Sequence, residues 1–191
     1  MIPTARETLL ALAGLWHFAR EGAPALRWFD RSMDGLRRSF GVALLAAPLQ
    51  ILVIAANVAT PADGAGWLRL AVTEASAYVI LWVAFPLALY QIARRIGRLP
   101  EFVDFVIIYN WMSLPWLTIS LALTRLAASG LVSDGFIQVV VFAFYVVILS
   151  FEWFIARQTL RLGGLACAGL VLLDFAIAIV VETATVALRA T

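Results

Sequence analysis

Hydrophobic residues in this sequence fall into five long runs, separated by short polar segments. The runs cover residues 40–60, 70–93, 102–124, 136–156 and 164–188. Each has 21 to 25 residues, enough for a helix rising 1.5 Å per residue to cross a hydrocarbon layer of about 30 Å. The links of 7 to 11 residues should hold consecutive helices as antiparallel neighbours. The pattern predicts an all-α, polytopic membrane helix bundle with five transmembrane helices.

The first 39 residues predict short amphipathic helices instead of a further span. Thr4 and Glu7 have the spacing of a capping box, which marks a helix start. One apolar face follows, made of Ala5, Leu9, Leu12, Trp16 and Ala19. A second helix is expected from Pro24, with Phe29, Met33, Leu36 and Phe40 on one stripe. Both helices are predicted to lie at the membrane interface, and packing on the cytoplasmic face of the bundle is the alternative.

Composition supports a membrane protein. The chain is 63% hydrophobic and only 14% charged, whereas soluble domains carry roughly 25% charged residues. All fourteen basic residues are arginine, a bias of GC-rich genomes that predicts a bacterial inner-membrane protein. The net charge of +2 is too small to indicate a nucleic-acid partner. The expected partners are the lipid bilayer and other membrane proteins.

The arginines divide unevenly between the two ends of the predicted helices. Eleven lie before the first span or in the second and fourth links: Arg6, Arg20, Arg27, Arg31, Arg37, Arg38, Arg94, Arg95, Arg98, Arg157 and Arg161. The other side has Arg69, Arg125 and Arg189. Because positive residues stay on the cytoplasmic side, the N-terminus is predicted to be cytoplasmic and the C-terminus periplasmic.

Asp174 is the most informative polar residue, since it lies ten residues into the last span and therefore near the bilayer midplane. An ionised aspartate there costs roughly 2.5–3.5 kcal/mol. A structural reading gives it an interhelical hydrogen bond; the candidate partners are Asn110, Ser113 and Ser76, with Asn110 preferred for its similar depth. A functional reading makes it a proton or ion relay or a substrate contact, on a path that includes Glu152 and Glu182.

Four other acidic residues lie nearer the span ends: Glu74, Asp104, Glu152 and Glu182. We expect them to snorkel or to pair with arginines at the interfaces. Asp104 lies within reach of Arg94 and Arg95. Glu152 lies within reach of Arg157.

Nothing in the sequence indicates an enzyme or a cofactor. Cys167 is the single cysteine and His17 the single histidine, so one chain cannot form a disulfide, a thiolate metal site or bis-histidine haem ligation. Nucleotide-binding glycine loops and the motifs of metal and serine hydrolases are missing from the sequence.

The chain also contains a weak internal repeat. Ile92-Ala93-Arg94 followed by Arg98-Leu99 recurs as Ile155-Ala156-Arg157 followed by Arg161-Leu162. One residue later in register, Asn110 corresponds to Asp174. Duplication of one helical hairpin is the hypothesis, with spans two and three as one copy and spans four and five as the other.

One segment resembles bacterial Yip1-like membrane proteins. It runs from Arg94-Arg95-Ile96-Gly97-Arg98 to Tyr109-Asn110-Trp111-Met112-Ser113-Leu114-Pro115. The resemblance implies five spans, a cytoplasmic N-terminus and a non-enzymatic organising role in the membrane. The Asp-Leu-Tyr-Gly-Pro motif of the eukaryotic relatives is missing, so their role with small GTPases is not carried over.

Two functional hypotheses follow. The leading one is a non-enzymatic scaffold or accessory subunit of a larger membrane complex. The alternative is a small transporter or channel component with an intramembrane polar site, whose candidate residues are Asp174, Asn110, Glu182 and Glu152. Candidate contacts to lipid headgroups or a partner are Arg94, Arg95, Arg98, Arg157, Arg161, Trp16 and Trp28.

The arginine bias generates a topology prediction. A reporter fused before Met1 should report a cytoplasmic location, and one fused after Thr191 a periplasmic one. A phosphatase that is active only in the periplasm should therefore be active at Thr191. A silent phosphatase and a fluorescent cytoplasmic reporter at that position would contradict the five-span topology.

Overall fold

The computed structural model describes residues 3–58 and 64–190, and these residues form seven α-helices and one 3-10 helix with no β-strand. In chain order they are α1 (Ala5–Glu21), the 3-10 helix (Ala23–Trp28), α2 (Met33–Phe40), α3 (Val42–Asn57), α4 (Gly64–Arg95), α5 (Leu99–Ala128), α6 (Asp134–Leu160) and α7 (Gly164–Ala190).

Five helical segments in the described residues are long and apolar enough to cross a membrane, which confirms the predicted multi-pass architecture. They are α2 with α3, then α4, α5, α6 and α7. Several run beyond their predicted ends because capping groups, and not the last apolar residue, decide where a helix stops. Ser133 caps α6 by accepting a hydrogen bond from the Phe136 N–H. The predicted end of the first span, residues 59 and 60, lies outside the described residues.

The first span begins at Met33 instead of residue 40. Gly41 keeps helical backbone angles, with φ −65° and ψ −16°, so α2 leads directly into α3. The predicted interfacial helix from Pro24 is therefore wrong as a single element. Its first part is the 3-10 helix, and its last part belongs to the span. Gly35 permits this path, because a Cβ there would lie 1.9 Å from the Asp30 carbonyl oxygen.

Helix α1 begins with the predicted capping box, which the structure confirms. The Thr4 N–H donates to Glu7 Oε2 at 2.8 Å, and the Glu7 N–H donates to Thr4 Oγ1 at 3.2 Å. The bond from the Thr4 backbone lowers the pKa of the Glu7 carboxyl, with the Thr4 hydroxyl adding to the effect. A lowered folded-state pKa means that the cap stabilises the helix above the unfolded pKa and is lost as pH falls through the folded one.

Helix α1 packs on the bundle through one face and leaves the predicted apolar stripe outside. Phe18 is fully buried and meets Phe154 edge-on, with ring centroids 5.6 Å apart. The N–H of Ala23 donates to Gln158 at 3.2 Å. Trp16, on the predicted stripe, is 58% exposed. The alternative of packing on the bundle is thus confirmed for one face of α1, and lipid contact through the other face stays a prediction.

Helix α5 is the centre of the bundle. It packs against α3, α4 and α6, and α7 closes a ring by packing between α4 and α6. The first link joins a looser pair than the others: α3 packs mainly on α5, and it meets α4 through the hydrogen bond that the Tyr78 hydroxyl donates to the Ala43 carbonyl at 2.7 Å. The end that carries α1 and the α4–α5 and α6–α7 turns is called the α1 face, and the other end is called the opposite face.

Two polar contacts fix the register of the first span against α5. Arg31 donates two hydrogen bonds to the Asp104 carboxylate, at 2.6 and 2.7 Å. Eight residues further along, Ser39 accepts a hydrogen bond from Asn110 at 2.9 Å, so α2 and α5 run parallel. Asp104 pairs with Arg31, and the expected pairing with the arginines of the α4–α5 turn is wrong. The same hydrogen bonds raise the pKa of the Arg31 guanidinium.

Packing is uneven along the membrane normal. On α4, α6 and α7 the buried apolar residues lie almost entirely in the half nearest the α1 face. Phe85, Leu89, Phe105, Ile108 and Ile155 are each at most 2% exposed there. The helices are therefore tightly packed at the α1 face and separate toward the opposite face.

Removing Arg31 should destabilise the fold, because Asp104 is 6% exposed and would lose both donors. Arg31→Ala should cost roughly 1.5–3 kcal/mol, as for other hydrogen bonds to charged groups, and should lower the thermal unfolding midpoint in mild detergent. Arg37→Ala is the matched control, since its bond to Asp34 joins two exposed side chains and such pairs contribute about 0.3–0.5 kcal/mol. Equal midpoints for the two variants would contradict a structural role for the Arg31 pair.

Candidate functional site

A cavity of about 250 Å³ lies inside the ring, just above the packed half. All five spans contribute to its wall. Each of the five contributes at least one polar side chain: Gln50 on α3, Tyr78 on α4, Tyr109, Asn110 and Ser113 on α5, Glu152 on α6 and Asp174 on α7. The central cavity therefore collects three of the four residues proposed for the intramembrane polar site, and the fourth, Glu182, lies elsewhere.

Asp174 faces the bundle, as predicted, but its partner is Tyr109. The Tyr109 hydroxyl donates to Asp174 Oδ2 at 2.8 Å. The predicted bond from Asn110 is wrong: one residue along α5 turns the side chain by about 100°, toward α2. The depth estimate was correct to within one residue, and the sequence carried no information about the rotation of the helix.

Asn110 is fixed with its carbonyl oxygen turned away from its partner. The Ser39 hydroxyl donates to the Leu36 carbonyl at 2.8 Å, so it can only accept from the Asn110 amide nitrogen. Asn110 is 1% exposed, and its Oδ1 has no hydrogen-bond partner within the described residues. Buried polar atoms are nearly always paired, so an unpaired acceptor in a residue that lines the cavity calls for an explanation.

Glu152 belongs to the same site and not to the interface. It is 6% exposed, and it lines the central cavity together with Asp174. Its Oε1 atom has no hydrogen-bond partner among the described residues. The expected pair with Arg157 is wrong, because Arg157 turns to the α1 face and donates to the Leu162 carbonyl.

The central cavity adjoins a wider one at the opposite face. This vestibule has a volume of about 610 Å³ and shares Gln50, Tyr78 and Leu81 with the central cavity. At its rim Arg189 donates to Glu74 at 2.6 Å, which confirms that Glu74 pairs with an interfacial arginine. Glu182 is 3.9 Å from Arg189, with a side chain 65% exposed. It lies eight residues, or about 12 Å, from Asp174 along α7.

Aromatic rings form much of the wall of the central cavity. Trp82 meets Tyr78 edge-on at 6.0 Å between centroids. Trp116 is held by Phe144 at 5.8 Å and by Phe151 at 6.0 Å, both edge-on. These contacts limit the rotation of the rings, so the aromatic walls are preformed.

The predicted headgroup contacts all lie at the α1 face. Arg94, Arg95 and Arg161 are exposed, and Arg98 is 3.4 Å from Glu101. Trp16 carries the Arg20 guanidinium over its ring at 4.0 Å, and Trp28 stacks on His17 at 4.5 Å. The cluster is consistent with a headgroup layer, and contact with lipid or a partner stays a prediction.

The Tyr109 bond can be tested by a stability measurement. Tyr109→Phe removes the donor to Asp174 and should lower the unfolding free energy by about 0.6–1.7 kcal/mol, as for other hydrogen bonds inside membranes. Tyr145→Phe is the control, because Tyr145 is 54% exposed in the vestibule. Asp174→Asn keeps an acceptor and should fold normally, whereas Asp174→Leu should destabilise. Equal stability of Tyr109→Phe and Tyr145→Phe would contradict the assignment.

Within the described residues, no group of three or more histidine, cysteine, aspartate or glutamate side chains is arranged to hold a metal ion. The site is thus a protein cavity with two carboxyl groups, a fixed amide oxygen and aromatic walls. No family model, curated protein or solved structure matches the chain.

Proposed function

We propose that this protein is a small transporter whose solute site is the central cavity, in keeping with the alternative hypothesis from the sequence. The observation that carries the proposal is the pair of adjoining cavities. A polar site at mid-depth shares three wall residues with the vestibule at the opposite face, and packed side chains lie between it and the α1 face. A site with access from one side is the arrangement that alternating access requires.

Placing polar and ionisable side chains inside the membrane costs free energy, and this supports a transport role over a scaffold role. Glu152, Asp174 and Asn110 sit in the hydrocarbon-spanning part of the bundle, where ionisable residues are expensive and usually mark a solute or ion path. A scaffold needs only apolar contacts at that depth. The packed α1 face also argues against an open channel, because Phe85, Phe105 and Ile108 are buried there at 1% exposure or less.

The charge of the site favours a cation. Its ionisable side chains include two carboxylic acids, and none of the described arginines lines the central cavity. A positive solute would form an ion pair with an ionised carboxylate of Glu152 or Asp174. An anion would meet like charge in a medium of low dielectric, where repulsion is strong.

The proposed orientation follows the arginines. The α1 face carries the exposed arginine clusters, so we place it in the cytoplasm. The vestibule then opens to the periplasm of a bacterial inner membrane, and the structure corresponds to an outward-open state.

Reconstitution tests the proposal. Protein in liposomes, driven by an inside-negative membrane potential, should take up at least one cation from a panel of sodium, potassium and methylammonium. Glu152→Gln and Asp174→Asn should each lower the initial rate at least tenfold. Asp134→Asn is the control, because Asp134 is exposed in the first turn of α6 and lines neither cavity.

The competing hypothesis has a different signature. Purification in mild detergent with a stoichiometric second protein, together with no flux above that of protein-free liposomes, would overturn the transporter proposal. That result would support an accessory subunit instead.

A further inference from the structure

Two fully buried polar atoms of residues at the central cavity lack hydrogen-bond partners among the described residues, and both are acceptors. Asn110 Oδ1 and Glu152 Oε1 have no partner among the described residues, and both side chains are more than nine-tenths buried. Asp174 adds a second carboxyl group. A buried acceptor without a partner destabilises the protein by about 1–3 kcal/mol. A ligand with hydrogen-bond donors would remove this penalty by bonding to these acceptors.

The remainder of the cavity is unsuited to a bare metal ion. Hard cations such as Ca²⁺ and Mg²⁺ take about six to eight oxygen ligands, some of which can be water. Here the same cavity is lined by the apolar side chains of Trp82, Trp116, Leu81 and Ile148. Apolar side chains cannot replace the water molecules that an inorganic ion would lose on entering the cavity.

Tryptophan walls favour an organic cation. The face of an indole ring attracts a positive charge within about 6 Å, by 0.5–2 kcal/mol as the site becomes drier. It also packs against hydrocarbon. Trp82 and Trp116 line the cavity and are held by their ring contacts, so little further ordering is needed for them to meet a ligand.

We propose that the central cavity binds a primary ammonium ion with a short apolar body. The –NH3⁺ group has three donors, which match Glu152 Oε1, Asn110 Oδ1 and the Asp174 carboxylate. The apolar body lies between Trp82 and Trp116 and points toward the vestibule. The volume of about 250 Å³ is just below the usual range of 300–1,000 Å³ for small-molecule pockets, which limits the body to a few carbon atoms or one ring. This assignment rests on the proposed transport function, because it names the solute of the same site.

The experiment is a binding titration on the full chain in lipid nanodiscs, followed by tryptophan fluorescence. The probes are n-butylammonium, tetramethylammonium, n-butanol and sodium. n-Butylammonium should bind at least tenfold more tightly than the other three, because tetramethylammonium lacks N–H donors, butanol lacks the charge and sodium lacks the apolar body.

Variants separate the two parts of the site. Trp116→Leu should weaken n-butylammonium binding roughly fivefold, the loss expected for one cation–π contact, and Trp116→Phe should recover most of it. Trp67→Leu is the control, since Trp67 is 51% exposed and lines neither the central cavity nor the vestibule. Glu152→Gln should abolish binding of the ammonium.

The outcomes distinguish this inference from the function on which it rests. Sodium or tetramethylammonium binding as tightly as n-butylammonium, or Trp116→Leu and Trp116→Phe both binding like the unaltered chain, would overturn the primary-ammonium assignment. Carboxyl-dependent cation flux in liposomes would leave the transporter proposal standing in that case. Flux that is unchanged in Glu152→Gln and Asp174→Asn would overturn both.

Discussion

A polar group inside a membrane must find its hydrogen-bond partner within the protein, because lipid tails supply none. In this molecule α5 is where that requirement is met. Asp104, Tyr109 and Asn110 follow one another along the helix, and each bonds to a different element: the segment before α2, then α7, then α2 itself. These bonds fix the register of the first and last spans against the same helix, and the apolar contacts of the bundle fill in around them.

The polar groups of the central cavity are only partly paired with hydrogen-bond partners from the protein. Tyr109 supplies one donor to Asp174, and the Asn110 amide nitrogen donates one hydrogen bond to Ser39. Two acceptors are left over at the cavity. A site built for stability alone would contain as many donors as acceptors, so the imbalance is the physical basis for placing a cation there.

Sequence reasoning predicted the five spans well, because length and hydropathy alone decide whether a helix can cross a bilayer. It failed where the answer depended on helix rotation or helix ends. Tyr109 and Asn110 differ by one residue in depth but point in different directions, and no pattern in one sequence tells which faces α7. A span that ends at residue 156, as the sequence predicts, puts Glu152 near the interface. The helix runs to Leu160, so Glu152 lies eight residues, or about 12 Å, from that end.

The Yip1-like resemblance and the hairpin duplication stay predictions, although the repeat-related Asn110 and Asp174 do line one cavity.

Because packing is uneven along the membrane normal, the two ends of the bundle should differ in local stability. The halves of α4 and α7 near the opposite face are joined by the Glu74–Arg189 pair and bury few apolar side chains, whereas the aromatic core near the α1 face buries many. Amide hydrogens near the opposite face should therefore exchange with solvent through openings of lower free energy than those near the α1 face.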